Sequence, residues 1–374
     1  MTFWQSCLYR PLLGEVCGGR DNNLNLIRMI AASAVIFSHA FPIAYGIGTE
    51  EPLEGLTGYS LGWTAVAVFF VVSGFLITRS FDRRPSLARW GLARVLRLYP
   101  GLLLVLLLTV FVLGPMFTTL PAKAYLTANG TLTYLPANLS LALLQYPLPG
   151  VFADNAFPRV INGSLWTLFY EVVCYFGVLA AGLLGLLKRK YVFTAFVGML
   201  AIAAGLLAHF GPIEGGAMVR VNALVRLAFP FALGMAAYLW RDRLRLDIRL
   251  VAAVWLAAIL AWFTPLFPVV FVGALSFTVL FLGYVPSGAV RSYNRLGDYS
   301  YGTYIYAFPM QQMVQHLNPQ GGWAANVAFA IPPTVVLAIL SWHLVEKRAL
   351  ALAKFRAPPA LKISETVTSV QKDR

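Results

Sequence analysis

Apolar residues run along this chain in blocks of about twenty, and the polar and charged residues collect in the gaps between blocks. A block of that length matches the ~30 Å of hydrocarbon that a helix rising 1.5 Å per residue must cross. About ten blocks are present, centred near Ala34, Phe70, Leu103, Cys174, Val197, Ala232, Leu256, Thr278, Tyr306 and Val335. The pattern predicts an all-α integral membrane protein with about ten transmembrane helices in one bundle. Two of the ten are weakly marked. The stretch Thr264-Pro265-Leu266-Phe267-Pro268 is the only break between the seventh and eighth, and the ninth is short and polar. No repeat of fixed period and no inverted halves stand out.

One interval breaks the rhythm. Residues 114–163 carry Pro115, Pro121, Pro136, Pro147, Pro149 and Pro158, too many prolines for a span and too long a stretch for a bare connection. This interval is expected to pack as a cap or re-entrant element on one face of the bundle. The chain then divides into an N-terminal segment (1–23), a transmembrane domain (24–346) and a basic tail (347–374).

Composition agrees with a membrane protein: 59% of residues are hydrophobic, 12% are charged, and the mean hydropathy is +0.71. The net charge of +14 does not point to nucleic acid. With ten spans and both termini cytoplasmic, 25 of the 29 Lys and Arg residues fall on the inner side. Lys123, Arg159, Arg220 and Arg226 make up the other four. That is the asymmetry of the positive-inside rule, so membrane orientation accounts for the charge. The first twenty residues hold no continuous apolar core or cleavage signal, so the first span is expected to remain in the mature protein. Cys7, Cys17 and Cys174 form neither a disulfide framework nor a CxxC metal pair, and no metal is expected. The sequons at Asn129, Asn138 and Asn162 fall on the outer side, but such triplets often arise by chance.

Within the first span, Arg28 and His39 are eleven residues apart, almost three helical turns. They therefore share a face, about 16 Å apart along the axis. Glu171 lies seven residues into the fourth span, running inward, at about the same 10 Å depth as His39. A carboxylate bound to the imidazole would fix its tautomer and raise its basicity, as a general base needs. By residues alone, His39 serves a helix–helix hydrogen bond equally well, and Arg28 reads as a snorkelling cation. Arg226, inside the sixth span, either snorkels outward or neutralises Glu171. Ser73 is a candidate nucleophile, although Ser73-Gly74 within a span also reads as a close-packing pair.

Five stretches carry a resemblance. Asn25-Leu26-Ile27-Arg28 through Phe37-Ser38-His39 resembles the opening Arg-x10-His motif of the membrane-bound acyltransferase 3 family. Residues 62–77 (GWTAVAVFFVVSGFLI) are similar to its second motif, and Arg94-Val95-Leu96-Arg97-Leu98-Tyr99-Pro100 to its paired-arginine motif. Asn162-Gly163-Ser164-Leu165-Trp166-Thr167-Leu168 followed by Glu171 resembles the central motif, and residues 296–304 (LGDYSYGTY) the late one. Many relatives have a second histidine three residues after the late tyrosine, where this chain has Ala307. That difference is read as leaving the base role to His39 alone, with an acceptor pocket lined by Tyr304, Tyr306 and Gln311.

The resemblance implies a multi-pass O-acyltransferase of a bacterial cytoplasmic membrane. Its partners would be the lipid bilayer and a surface or secreted carbohydrate acceptor, and its donor acyl-CoA, usually acetyl-CoA. His39 and Glu171 become the catalytic candidates. Arg28, Arg94 and Arg97 become the residues for the coenzyme A phosphates, since guanidinium forks match phosphate oxygens. Ser73, Ser164, Trp166 and Tyr304 are the substrate-binding candidates. Direct transfer and a transient acyl-enzyme both remain open. A different class also suits the composition, a carrier or flippase for a lipid-linked sugar that transfers no acyl group.

Overall fold

The computed structural model describes residues 9–83 and 86–355. Cys7 and most of the basic tail lie outside the described residues. Helices form at all ten expected centres. Counting only these long elements, they are α1 (Leu24–Tyr45), α2 (Leu61–Asp82), α3 (Leu87–Leu108), α4 (Trp166–Leu183) and α5 (Lys190–Phe210), followed by α6 (Gly216–Leu239), α7 (Ile248–Leu260), α8 (Phe267–Tyr284), α9 (Ser300–Leu317) and α10 (Gly322–Ser341). Eight of them, with their short extensions, are long and apolar enough to cross a membrane. The other two are α7, from the poorly separated seventh and eighth blocks, and α9, the ninth. At thirteen residues, α7 reaches only about 20 Å, and α9 is polar. Of the expected break at 264–268, residues 264–266 lie in a turn between α7 and α8, while Phe267 and Pro268 open α8. Among the described residues, β pairing is confined to the isolated bridges Leu12–Arg245 and Thr118–Val151.

Caps and glycines position the site helices. The Ser60 hydroxyl accepts from the Trp63 amide at the start of α2, and Ser86 does the same for Arg89 at the start of α3. α2 and α6 cross in near backbone contact: a Cβ on Gly74 would lie 2.0 Å from the Phe231 carbonyl oxygen, and one on Gly234 2.1 Å from that of Val71. Only glycine permits that approach. Gly74 therefore acts in close packing, as one reading of Ser73-Gly74 expected.

The polar ninth helix is the centre of the bundle. α9 packs on α10 and α1, and Gln311, Gln312 and Gln315 are buried in it. Several of its polar groups are answered by neighbouring protein groups. Gln311 Nε2 donates to the Ile36 carbonyl at 2.7 Å and to Asn326 Oδ1 at 3.1 Å, and Asn326 Nδ2 donates back to the Gln311 carbonyl at 2.9 Å.

The proline-rich interval is a cap built of short helices, Ala122–Thr127 and Asn129–Leu139, and irregular chain. Tyr125, Tyr134 and Phe152 form its buried centre. The cap is tied to the C-terminal end of α9: Gln312 Nε2 donates to the carbonyls of Phe157 and Val160, both at 2.7 Å, and Asn155 Nδ2 donates to the Gln312 side chain at 2.7 Å. Two of the sequons are structural. Asn138 and Asn162 are buried, and their amides donate to backbone carbonyls within the cap and on α9. The molecule thus has a cap end and, opposite it, an arginine end carrying Arg94, Arg97 and Asp298.

Candidate active site

His39 lies near the cap end of α1, two turns before Pro42 and Tyr45 close the helix at Gly46, which has a positive φ of 107°. Its ring lines a cavity of about 750 Å³ between the 46–60 loop and the cap. The walls bring together three carboxylates (Glu50, Glu51 and Glu54) and the aromatic rings of Tyr146, Phe157 and Trp166. The imidazole meets Phe308 edge-on, with centroids 5.4 Å apart, and its buried Nδ1 has no hydrogen-bond partner among the described residues. Glu51 was not singled out in the sequence. It is held beside the histidine because the Ser38 hydroxyl donates to its carboxylate and in turn accepts from the Gly62 amide at 2.7 Å. The acidic pair Glu50-Glu51 in the loop after the first span was its only sequence signal.

Glu171 is not the partner of His39, contrary to the pairing drawn from equal depth. It accepts hydrogen bonds from Tyr175, one turn on, and from Ser73 across the helix interface at 3.3 Å. With Arg28, Ser73, Thr167 and Tyr304 it lines a separate, narrow void of about 30 Å³, about the space of one water. Tyr304 closes the layer above. Its hydroxyl is 2.6 Å from that of Thr167 and donates to the Ser164 carbonyl at 3.0 Å, and its ring meets Phe69 edge-on. The Ser164 hydroxyl is buried there without a partner among the described residues. The acceptor pocket expected from Tyr304, Tyr306 and Gln311 is therefore not found: Tyr304 belongs to the narrow void, Gln311 stitches α9 to α1, and Ala307 is fully buried. Of the substrate candidates, Trp166 alone faces the large cavity.

The arginines separate. Arg28 and Arg97 converge on one carboxylate oxygen of Asp298, Arg97 at 2.6 Å. Ser300 donates to the other oxygen at 2.6 Å, and Glu346 approaches Arg97 at 3.8 Å. Burial disfavours ionisation of Asp298, but Arg28 and Arg97 more than offset this and hold its carboxyl at about 2. Arg94 turns instead toward the Ser80 hydroxyl, at 3.3 Å, and the Trp90 ring. The Arg-x10-His spacing thus puts one cation in the Asp298 cluster and the imidazole in the cap-end cavity. No group of three or more His, Cys, Asp or Glu among the described residues is arranged to hold a metal.

A family model described as an acyltransferase domain matches residues 21–343. The chain belongs to the acyltransferase 3 family. It is a membrane acyltransferase, and the carrier reading is set aside. It is similar to an O-acetyl transferase of Shigella phage Sf6, 28% identical over 355 residues that cover 92% of this chain and 99% of that protein. It is also similar to nodulation protein 10 of Rhizobium leguminosarum bv. viciae, 29% identical over 369 residues, covering 90% of this chain and 95% of the relative. No solved structure matches. All five motif stretches lie within the matched residues.

Proposed function

We propose that this acyltransferase moves an acyl group, in the simplest case acetyl, from acyl-CoA at the arginine end to a hydroxyl of a carbohydrate in the cap-end cavity, with His39 as general base. The observation that carries this reading is the company His39 keeps. Its imidazole faces a cavity of about 750 Å³ whose carboxylates suit sugar hydroxyls and whose aromatic rings suit sugar faces. The name of the phage relative, an O-acetyl transferase, supports the same chemistry.

The reaction balances without a cofactor. As the acceptor oxygen attacks the thioester carbonyl, its proton passes to the imidazole. The C–S bond then breaks, and the coenzyme A thiolate leaves and takes up the proton. Glu51 has one carboxylate oxygen bound to Ser38 and the other available to orient the acceptor hydroxyl. Glu171, Ser73 and Tyr304 are assigned to the donor side, where the acyl-pantetheine arm would pass, and the unpartnered Ser164 hydroxyl stands between the two cavities. Arg28, Arg94 and Arg97 are assigned to the donor phosphates. Because the donor-side void holds about one water, the arm must part the side chains of Phe69 and Tyr304 to reach His39. The cap end is assigned to the outer face of a bacterial cytoplasmic membrane, which puts the arginines on the side where acyl-CoA is made.

Mass spectrometry of the glycans from cells with and without the protein tests this reading. An otherwise intact glycan lacking one acyl mass is the expected result. An unchanged glycan, or an absent one, would overturn it.

A further inference from the structure

Arg226 lies ten residues into α6, about 15 Å along the helix from Gly216. A cation at that depth calls for a counter-charge or a ligand. Glu171 is not its counter-charge, since that carboxylate is bound by Ser73 and Tyr175 in the donor-side void. Arg226 makes no ion pair among the described residues. Its guanidinium stacks over Tyr59, 5.9 Å from the ring centroid, and faces a cavity of about 300 Å³. Trp63, Trp166 and Asn222 line that cavity with it. Asn222 is 6% exposed and its Oδ1 has no partner among the described residues, an acceptor waiting for a hydroxyl. Glu214, in the turn before α6, also lines the cavity, and it makes no ion pair with Arg226 among the described residues.

Arg220 repeats the arrangement on the other side of Trp166. It stacks over Phe169, reaches the Ala142 carbonyl at 3.3 Å, and faces a neighbouring cavity of about 340 Å³. The two arginine cavities share Trp166, Val219 and Ala223 as walls. The Arg220 cavity also shares Tyr146 and Trp166 with the cavity of His39. Half of the four basic residues expected outside therefore adjoin the acceptor cavity, on the side where the positive-inside rule disfavours cations.

We propose that Arg226 and Arg220, flanking Trp166, form an anion subsite that takes a negatively charged group of the acceptor while its reacting hydroxyl lies at His39. The inference rests on the reading that the acceptor is a carbohydrate in the His39 cavity. Guanidinium forks bind phosphate and carboxylate oxygens alike, and the Trp166 ring between them offers a stacking face for the sugar that carries the charge. The anion is either the diphosphate of a lipid carrier or the carboxylate of an acidic sugar.

The test uses the full chain in liposomes with acetyl-CoA and three versions of one oligosaccharide: neutral, polyprenyl-diphosphate-linked, and with a uronic acid in place of one sugar. The wild type should show a KM at least tenfold lower for one charged version than for the neutral one, and which version benefits identifies the source of the anion. In R226Q that KM ratio should collapse toward one, in R226K it should partly return, and R220Q should reduce it. Equal KM values for all three acceptors in the wild type would overturn the subsite alone. So would a ratio unchanged in both Gln variants, or one lost equally in R226Q and R226K. Transfer to none of the three would overturn the carbohydrate reading, and the subsite with it.

Discussion

Asp298 is the residue on which the arginine end turns. Two guanidiniums from distant parts of the chain, Arg28 and Arg97, meet on its carboxylate, and their charges outweigh the cost of burying it. Replacing Asp298 by Asn should leave both cations without full compensation and cost about 3–5 kcal/mol, read as a lower Tm in detergent at neutral pH. The sign with pH follows from the depressed carboxyl. Its stabilisation is complete above the ordinary carboxylate value, about 4, and is lost as pH falls through about 2. The wild-type Tm should therefore drop across that window more steeply than that of D298N, and parallel curves would count against the cluster. For donor binding, R97Q should raise the KM for acyl-CoA about tenfold or more, each charge-assisted phosphate contact being worth about 1.5–3 kcal/mol, and R97K should recover part. An unchanged KM would move the donor site elsewhere. Asp298 was visible in the sequence as part of the late motif, yet its partnership with Arg28 and Arg97 was not, because sequence separations of 270 and 201 residues close only in the bundle. The failed pairing of His39 with Glu171 has a related cause. Helical rise sets depth, but rotation about the axis is set by packing, and α4 turns Glu171 toward Ser73 on α2.

Among the helices, the α2–α6 crossing makes the sharpest claim. Adding a methyl group at Gly74 drives it to 2.0 Å from the Phe231 carbonyl oxygen, so the helices must separate. G74A should lower stability by about 1–3 kcal/mol and reduce activity by displacing Ser73 and the void beside it. A Tm equal to the wild type would mean that the crossing is looser than this geometry. Helix positions were legible from apolar block length because the bilayer imposes that length. The role of α9 was not, since a polar helix reads as a weak span until Gln311, Asn326 and the Ile36 carbonyl are seen to satisfy one another. The cap was legible as an interruption through its prolines, whereas its contribution of Tyr146, Phe157 and Val160 to the His39 cavity depends on irregular chain with no period to read.

For the whole molecule, every functional assignment depends on which end faces the cytosol. The proposed orientation, with the arginine end inside, rests on the 25 to 4 division of basic residues expected for ten spans. In a background without Cys7, Cys17 and Cys174, single cysteines at the exposed Leu56 and Leu132 should react with a membrane-impermeant thiol reagent in intact cells, and one at Lys188 only after permeabilisation. Labelling at Lys188 in sealed cells would invert the assignment. The central claim is that His39 takes the proton from a carbohydrate hydroxyl during acyl transfer, and its most direct test is transfer itself. The purified protein in liposomes is given acetyl-CoA labelled in the acetyl group together with the acceptor oligosaccharide, and the label on the sugar is followed over time. The wild type should place the label on one hydroxyl, and H39A, folded and with unchanged Tm, should be slower by a factor of about 10² to 10⁴. Transfer by H39A at the wild-type rate would contradict the claim and leave His39 a packing residue.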